Sequence, residues 1–543
     1  MESYSGKSVY PGVAFGVAIL LKKSPYIIDE SPAEDTVQEW ERFEEAKRIS
    51  EAELGVLFQK TIREIGEDEA GIIDVQRMIL RDEEYIEMVR DLVMNGGSRA
   101  AFAVSKVGNH FTEVFAAMDD PYMKARTSDF ADVTQRVIRT LTGGHKKIKL
   151  SEPSIVIADD LSPSEIVQMD KAMVRAFVIR QGSVNSHSTI LTRTMRIPML
   201  IQADIPLNSE INGCPAAVDA HAGKFYLTPG EQVIQKLESR QNNDKKEDTE
   251  LEKLRGLPTI TRDGIKINLF ANISGPEDLE AILANDAEGI GVLRSEFLYL
   301  SRDNYPGEDE QYEAYSTIVK GMKGRQVTIR TLDIGADKNI SYFGFLPEEN
   351  PAMGLRAIRI CFERPDIFRT QLRAIYRASV FGNVAIMFPM IASLWEVRRC
   401  KEAAAQVREE LKNENVVPGK VPLGIMIETP AAALTADELA REVDFFSVGT
   451  NDLTQYTLAV DRENEKLSAF LDPHHPAILR LLKMIAESAR KAGIWAGICG
   501  ELASDLTLTE EFLKMGYSEL SVSPGFILKT RQKIRSIKDG RRS

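Results

Sequence analysis

The residues of this chain whose types and spacing could do chemistry fall into two groups. The larger lies in the C-terminal half, where short apolar runs end in side chains suited to anions or hard cations. Arg294 follows GIGVL, with Glu296 two residues on; Arg330 and Asp333 lie in VTIRTLD; Glu428 follows LGIMI; Asn451 and Asp452 lie beyond FFSVG; Cys499 follows WAGI. Guanidinium groups fork onto phosphate or carboxylate oxygens, while carboxylates such as Glu428 and Asp452 hold a hard divalent cation. Magnesium keeps several waters, takes one or two protein carboxylates and is completed by substrate phosphate. The expected substrate is therefore a small phosphorylated acid, with Mg2+ as cofactor. Arg356 in AMGLRAIRI and Arg462 in LAVDREN either extend the cationic clamp or make surface salt bridges. Cys499 is either a packed small hydrophobe or, beside a cationic site, a proton donor whose proton is released and recovered near neutral pH.

The second group centres on His187, in GSVNSHSTILTRTMRIPML. Gly182 supplies a turn, and Ser188 is placed to start a helix running through Leu191 toward Met195. A histidine at a helix start can accept a phosphoryl group on a ring nitrogen, with nearby N–H groups and hydroxyls meeting the phosphate oxygens. The alternative is a polar surface histidine. The other five histidines (His110, His145, His221, His474 and His475) have no comparable setting, and the adjacent pair between Pro473 and Pro476 reads as a loop.

Strand ends become a site only if the strands run parallel and side by side. After Pro258 the sequence alternates apolar strand candidates with amphipathic helices, eight times over: 267–273, 289–294, 327–333, 384–390, 423–428, 445–449, 495–499 and 520–524. That pattern predicts a (β/α)8 barrel, whose functional side chains sit where the strands end. A doubly wound sheet is the alternative, since periodicity cannot show closure.

The first half has a different texture. Residues 8–21 read as one or two strands, and from about Pro32 to Thr142 apolar residues recur at helical spacing, with Asp35 and Thr36 as candidate caps. Strand-like runs return at 154–160, 175–182, 197–201, 216–220 and 223–230, which predicts an α/β unit with the helical stretch as an insertion. The expected boundaries are 1–24 with 143–230 for the α/β domain, 25–142 for the helical domain, 231–256 for a linker and 257–543 for the barrel. The highly charged linker reads as a solvated helix or a disordered segment.

Composition narrows the classes. The 543 residues carry 68 basic and 81 acidic side chains, a formal charge of −13, with no basic block, so a nucleic-acid surface is not expected. Cys214, Cys361, Cys400 and Cys499 are too scattered for a zinc site or a disulfide framework and should be free thiols. No run approaches the ~20 apolar residues of a membrane span, and MESYSGKSVYPGV lacks the features of a secretory signal. The expectation is a cytoplasmic protein without membrane insertion.

Taken in order, GIGVLRSEFLYL, IRTLDIGADK, EENPAMGLRAIRI, IMIETPAA, FFSVGTNDLTQYTLAVDR, DPHHPAILRL and GICGELASD resemble enzyme I, the phosphoenolpyruvate–protein phosphotransferase of the bacterial sugar phosphotransferase system. The resemblance covers nearly the whole chain and implies an α/β multidomain fold: a swivelling phosphohistidine domain, a helical insertion that docks the carrier protein HPr, and a (β/α)8 barrel that dimerises. It implies phosphoenolpyruvate contacts from Arg294, Arg330, Asn451 and Arg462, Mg2+ ligation by Glu428 and Asp452, enolate protonation by Cys499, and phosphorylation of His187. A non-catalytic or regulatory paralogue that binds phosphoenolpyruvate or HPr is the alternative. Three positions depart from the family pattern: Asn185 replaces the threonine of Gly-Gly-x-Thr-Ser-His, Glu463 the glycine after Arg462, and Gln76 a histidine.

Overall fold

The computed structural model describes residues 2–22, 28–64, 67–117, 121–143, 150–183, 186–300, 302, 304–336, 340–346, 348–462 and 464–538. Asn185 and Glu463 lie outside them. The chain forms two compact units, Met1–Asp248 and Thr249–Ser543.

In the first unit, helices α1 (Thr36–Glu64), α2 (Glu67–Ile79), α3 (Glu83–Met94), α4 (Ala100–Ala117) and α5 (Pro121–Leu141) form the helical part. Of the two candidate caps of α1, Asp35 does the capping: its Oδ1 accepts from the Val37 and Gln38 amides at 2.9 and 3.1 Å. The helical spacing of apolar residues brings Phe43, Leu54, Tyr85, Val89, Val104, Val133 and Val137 into one buried core. Each such side chain contributes about 1.5–3 kcal/mol of burial. Gly108 lets α4 and α5 approach closely, since a Cβ there would lie 2.0 Å from Thr134 Oγ1.

The sheet of this unit has the order β1-β8-β7-β3-β4-β5-β6-β2, from β1 (Glu2–Ser5), β2 (Lys7–Tyr10), β3 (Val13–Leu21), β4 (Ser154–Ala158), β5 (Val174–Ile179), β6 (Met199–Ile201), β7 (Pro215–Asp219) and β8 (Lys224–Leu227). Strands β3 to β6 run parallel, and the outer pairings are antiparallel. The unbroken apolar run of β4 follows from burial on both faces: Ile155 and Ile157 pack into one core, Val156 and Ala158 into another. Strands β1 and β2 lie at opposite ends of the sheet although only Gly6 separates them in sequence, so the sheet rolls until its two edges meet. β1 was not foreseen. Two helices follow, α6 (Pro163–Gln168), which opens on a Ser162/Glu165 capping box, and α7 (His187–Met195).

The charged segment after β8 is a helix, α8 (Glu231–Glu252), not a disordered linker. Leu237 is its buried anchor against Val13 and Ala217, and Arg240 pairs with Asp219 at 2.9 Å.

In the second unit β9 (Asn268–Ile273), β10 (Ile290–Arg294), β11 (Val327–Arg330), β12 (Val384–Phe388), β13 (Leu423–Ile427), β14 (Phe445–Val448), β15 (Trp495–Ile498) and β16 (Glu519–Val522) form a closed parallel barrel. Each coincides with a predicted strand to within a few residues. Pairing of β16 with β9 closes the ring and rules out the doubly wound sheet. Val292, Ala385, Met387, Met426, Phe445 and Cys499 form a separate buried cluster, distinct from the large core that takes Leu269, Ile425, Phe446, Ile498 and Leu520 with the helices. Alternation along β14 and β15 assigns the first cluster to the barrel interior.

Candidate active site

Parallel strands deliver their last residues to one mouth of the barrel. Arg294 ends β10, Arg330 ends β11, Glu428 follows β13 and Cys499 follows β15. Asn451 and Asp452 occupy the first turn of the helix Thr450–Leu458, which begins just beyond β14.

A buried chain of charges fixes much of this mouth. Arg330 binds Glu296 Oε1 at 3.0 Å and Asp333 Oδ2 at 2.8 Å; Asp333 Oδ1 accepts from Arg356 at 2.9 Å; Arg356 donates to the Tyr456 hydroxyl at 3.1 Å. Arg356 is therefore a buried member of the site rather than a surface salt-bridge partner. Burial works against the charge on Arg330, but Glu296, Asp333, Glu428 and Asp452 outweigh it and hold the guanidinium protonated above its ordinary range. Burial likewise opposes ionisation of Asp333, and Arg330 with Arg356 prevails, keeping that carboxylate below its usual range.

Glu428 and Asp452 are balanced differently. Burial first, then the charges of Asp452 and Asp333, push the Glu428 carboxyl far above the ordinary range, with only Arg330 and a 2.5 Å hydrogen bond from the Met390 amide pulling back. Asp452 Oδ1 is buried without a hydrogen-bond partner among the described residues, its nearest cation being Arg462 at 3.5 Å. Two adjacent buried carboxylates short of positive charge fit a divalent cation. No group of three or more histidine, cysteine or acidic side chains is set for a metal among the described residues. A Mg2+ ion asks for fewer protein ligands than that.

The Arg294 side chain is exposed, with no side-chain hydrogen bond or close ion pair among the described residues, and its charge acts on Glu296. Asn451 is held by Glu501, donating to its Oε1 at 3.2 Å and accepting from its amide at 2.9 Å. Cys499 is buried and directs its thiol at the Val448 carbonyl, 3.4 Å away. Burial pushes that thiol up to about 12, Ser447 acts in the opposite direction, and Glu428 and Glu519 add to the rise. It is a stored proton at neutral pH, not a group that titrates there.

His187 belongs to the first unit. Helix α7 begins at His187 itself, one residue earlier than expected, capped by Ser186. The ring is partly buried, with Nδ1 3.5 Å from Asp129 Oδ2. Gln76 holds Asp129 and Asp132 through its Nε2 at 3.2 and 3.0 Å, so the residue that replaces the family histidine steadies the carboxylate facing His187. The neighbouring hydroxyls are committed elsewhere: Ser188 donates to the Leu161 carbonyl at 2.5 Å and Thr189 to the Ser183 carbonyl at 2.8 Å. His475 caps the helix Pro476–Ala492 and His474 pairs with Asp505, which gives the loop pair structural work.

The model for the PEP-binding domain of PEP-utilising enzymes matches residues 248–539, that for their N-terminal domain residues 5–126, and that for their mobile domain residues 150–223. The phosphoenolpyruvate-protein phosphotransferase of Staphylococcus carnosus (strain TM300) is 41% identical across 99% of this chain and 94% of its own. This chain belongs to the phosphoenolpyruvate-protein phosphotransferase family. The relative of that name from Listeria innocua serovar 6a is 39% identical, again across 99% of this chain and 94% of its own. A solution NMR structure of an Enzyme I (nEIt) protein is 28% identical over 45% of this chain and 99% of its own, with a TM-score of 0.39.

Within this phosphotransferase fold, sequence reasoning found the strand-end residues and missed those reached through loops. Glu296 and Asp333 were visible as polar strand-end residues but not as the two arms around Arg330. Asp129 and Tyr456 gave no signal, because each meets its partner only through tertiary packing.

Proposed function

We propose that this protein takes the phosphoryl group of phosphoenolpyruvate onto His187 and passes it to a histidine of HPr, releasing pyruvate, as the first step of sugar phosphotransferase transport. The observation that carries the reading is the barrel mouth, where Arg330 and Arg462 stand beside the buried carboxylates of Glu428 and Asp452. Similarity over nearly the full length to named phosphotransferases supports turnover over a non-catalytic paralogue.

Arg294, exposed at the end of β10, closes on the substrate phosphate, Arg330 adds charge from inside the mouth and the exposed Arg462 adds it from beside Asp452. Asn451 orients the substrate by hydrogen bonding. Glu428 and Asp452 would hold Mg2+, which when bound neutralises phosphate charge and stabilises the enolate oxygen. His187 turns Nδ1 toward Asp129, leaving Nε2 as the nucleophile. The Nε2–phosphorus bond forms in line as the bond from phosphorus to the enol oxygen breaks, so the protein supplies chiefly position and charge. Cys499 then gives its thiol proton to the methylene carbon of the enolate, yielding pyruvate and a thiolate. A histidine that serves both substrate and HPr must travel, so the α/β domain swivels while the helical insertion docks HPr and the barrel dimerises. The setting is cytoplasmic. Among the described residues no helix is long and apolar enough to cross a membrane.

The test is incubation of the protein with Mg2+ and phosphate-labelled phosphoenolpyruvate, with and without HPr. An acid-labile, base-stable label should form, be absent from His187→Ala, and leave on addition of HPr. Undiminished labelling of the variant would overturn the assignment.

A further inference from the structure

The proton that Cys499 gives to the enolate has to reach one carbon from one side, so the place of the thiol matters as much as its acidity. That place is set by the peptide that carries it. Cys499 stands just past the end of β15, where the ladder to β16 pairs Gly497 with Glu519 and Ile498 with Leu520 and goes no further. On the other flank the Cys499 amide donates to the Val448 carbonyl at 3.1 Å. A strand end anchored to one neighbour only would be free to tilt, and the thiol would tilt with it.

Asn272 supplies the second anchor. Leu269, Ala271 and Ile273 of β9 pack with the helices around the barrel, so Asn272 points inward, and the same alternation turns Ser521 of β16 inward. The Asn272 side chain reaches across β16: its Nδ2 donates to the Ser521 carbonyl at 3.0 Å and to the Cys499 carbonyl at 2.8 Å. Its Oδ1 accepts from the Ser521 hydroxyl at 2.7 Å. Carbonyls only accept, so the NH2 end of the amide must face them, and the hydroxyl fixes that orientation from the opposite end. Both amide hydrogens are thereby spent, and none is left for a substrate. Ser521 is buried, and its hydroxyl occupies the space beside Gly291, where a Cβ would lie 2.3 Å from Oγ. Beyond Cys499 the chain is held again: Glu501 engages both ends of the Asn451 amide, through its own N–H and its carboxylate.

We propose that Asn272, oriented by Ser521, positions Cys499 to protonate one face of the enolate. The inference rests on the reading of Cys499 as the acid of the reaction. In that step the S–H bond breaks and its proton joins the methylene carbon. The enolate double bond supplies the pair for the new C–H bond, a lone pair of the enolate oxygen closes the pyruvate carbonyl, and sulfur keeps the S–H pair as a thiolate. The thiolate takes a proton from solvent once pyruvate has left the mouth. Asn272 exchanges no proton. It is a positioning residue that acts through the Cys499 carbonyl, which shares its Cα with the thiol side chain.

The experiment uses the full chain with Mg2+ and excess HPr, and compares wild type with Asn272→Ala, Ser521→Ala and Cys499→Ala. Phosphoenolpyruvate bearing a single deuterium of known geometry on its methylene carbon is turned over in tritiated water. The readouts are transfer of labelled phosphate to His187, the rate of pyruvate formation, and the handedness of the methyl group in pyruvate trapped at once as lactate. Wild type should give one hand. Asn272→Ala should label His187 within about twofold of the wild-type rate and keep its KM, while pyruvate formation falls roughly tenfold to a hundredfold and the methyl group is partly scrambled. Ser521→Ala, which keeps the Asn272 amide but lets it turn over, should lie between the two. Should Asn272→Ala not fold, Ser521→Ala carries the test alone. A raised KM, or loss of His187 labelling in step with pyruvate formation, would make Asn272 a packing residue and overturn the proposal. Wild-type rate and handedness in both variants, with a slow and scrambled Cys499→Ala, would also overturn it and leave the Cys499 reading standing. Unaltered rate and handedness in Cys499→Ala would remove both.

Discussion

The barrel mouth and the histidine site solve opposite problems with opposite materials. At the mouth, charges stand on the ends of parallel strands and brace one another, from Glu296 through Arg330 and Asp333 to Arg356 and Tyr456. At His187 a single ring stands on the first residue of a nine-residue helix, faces one carboxylate at 3.5 Å and has neighbouring hydroxyls tied to carbonyls. The first arrangement fixes groups that must meet a small substrate in one geometry. The second holds the proposed nucleophile by few contacts, as the proposed transfer to a second partner requires. Rigid networks belong where positioning is needed, and sparse contacts belong where release is.

That contrast predicts that removing charge hurts far more at the mouth. Arg330→Met leaves Glu296 as a buried carboxylate without its cation and Asp333 with Arg356 alone, a loss on the order of 3–5 kcal/mol of stability. Chemical denaturation and calorimetry should show a destabilised barrel with no Mg2+-dependent phosphoenolpyruvate binding, and a stable, binding-competent variant would break the comparison. Cys499→Ala is the next largest effect. Pyruvate formation should slow by roughly 10²- to 10⁴-fold with phosphoenolpyruvate affinity intact, and serine, a much weaker acid, should rescue little.

Glu519 offers a pH-dependent test inside the barrel. Its carboxyl is raised in the folded state to about 8 from about 4.3 when unfolded, so the folded state binds the extra proton between those values. Stability is then complete below about pH 4.3 and declines as pH rises toward 8. Glu519→Gln should remove that decline, leaving the variant more stable than wild type near pH 8 by on the order of a few kcal/mol. Denaturation midpoints measured at pH 5 and pH 8, roughly either end of that window, decide it; parallel pH profiles for the two proteins would count against a neutral buried acid. The smallest effect belongs to Asp129→Asn, which keeps size and hydrogen bonding near His187. Phosphorylation of His187 should slow by less than about tenfold, with substrate binding unchanged, as followed by label incorporation. A loss as large as that of Cys499→Ala would mean that the histidine site is braced like the mouth.

How much of this was legible in the sequence depends on how local each signal is. Barrel strands are buried on both faces, so each appears as a continuous apolar run, and all eight could be read without knowing that β16 meets β9. Glu428 and Cys499 could be found because they directly follow strands, and Asp452 because it opens the next helix. Arg356 stayed ambiguous because its partner Asp333 lies on another loop, and only folding shows the pair to be buried. Asp129 was invisible for a similar reason: it reaches His187 from α5, which no spacing rule connects to α7. Glu519 lay just outside the predicted strand 520–524, and its setting depends on glycines from β10 and β15. β1 was missed because ESYS is mostly exposed and gains its identity from pairing with β8.

That pairing has a consequence for how the molecule behaves in a crowded solution. An open sheet edge offers unpaired amides and carbonyls to any passing strand, and so seeds aggregation. The barrel has no edge, and the rolled sheet ends in two four-residue strands, β1 and β2, joined through Gly6. Both are short and largely polar, and β2 begins with Lys7, so the outermost rungs are poor templates for a stranger. Beneath them lie β8 and the wholly buried β6, which would be uncovered together if residues 2–10 peeled away. Residues 2–10 therefore work as a guard rail, and a tag or truncation that loosens them should show itself first as loss of solubility rather than loss of chemistry.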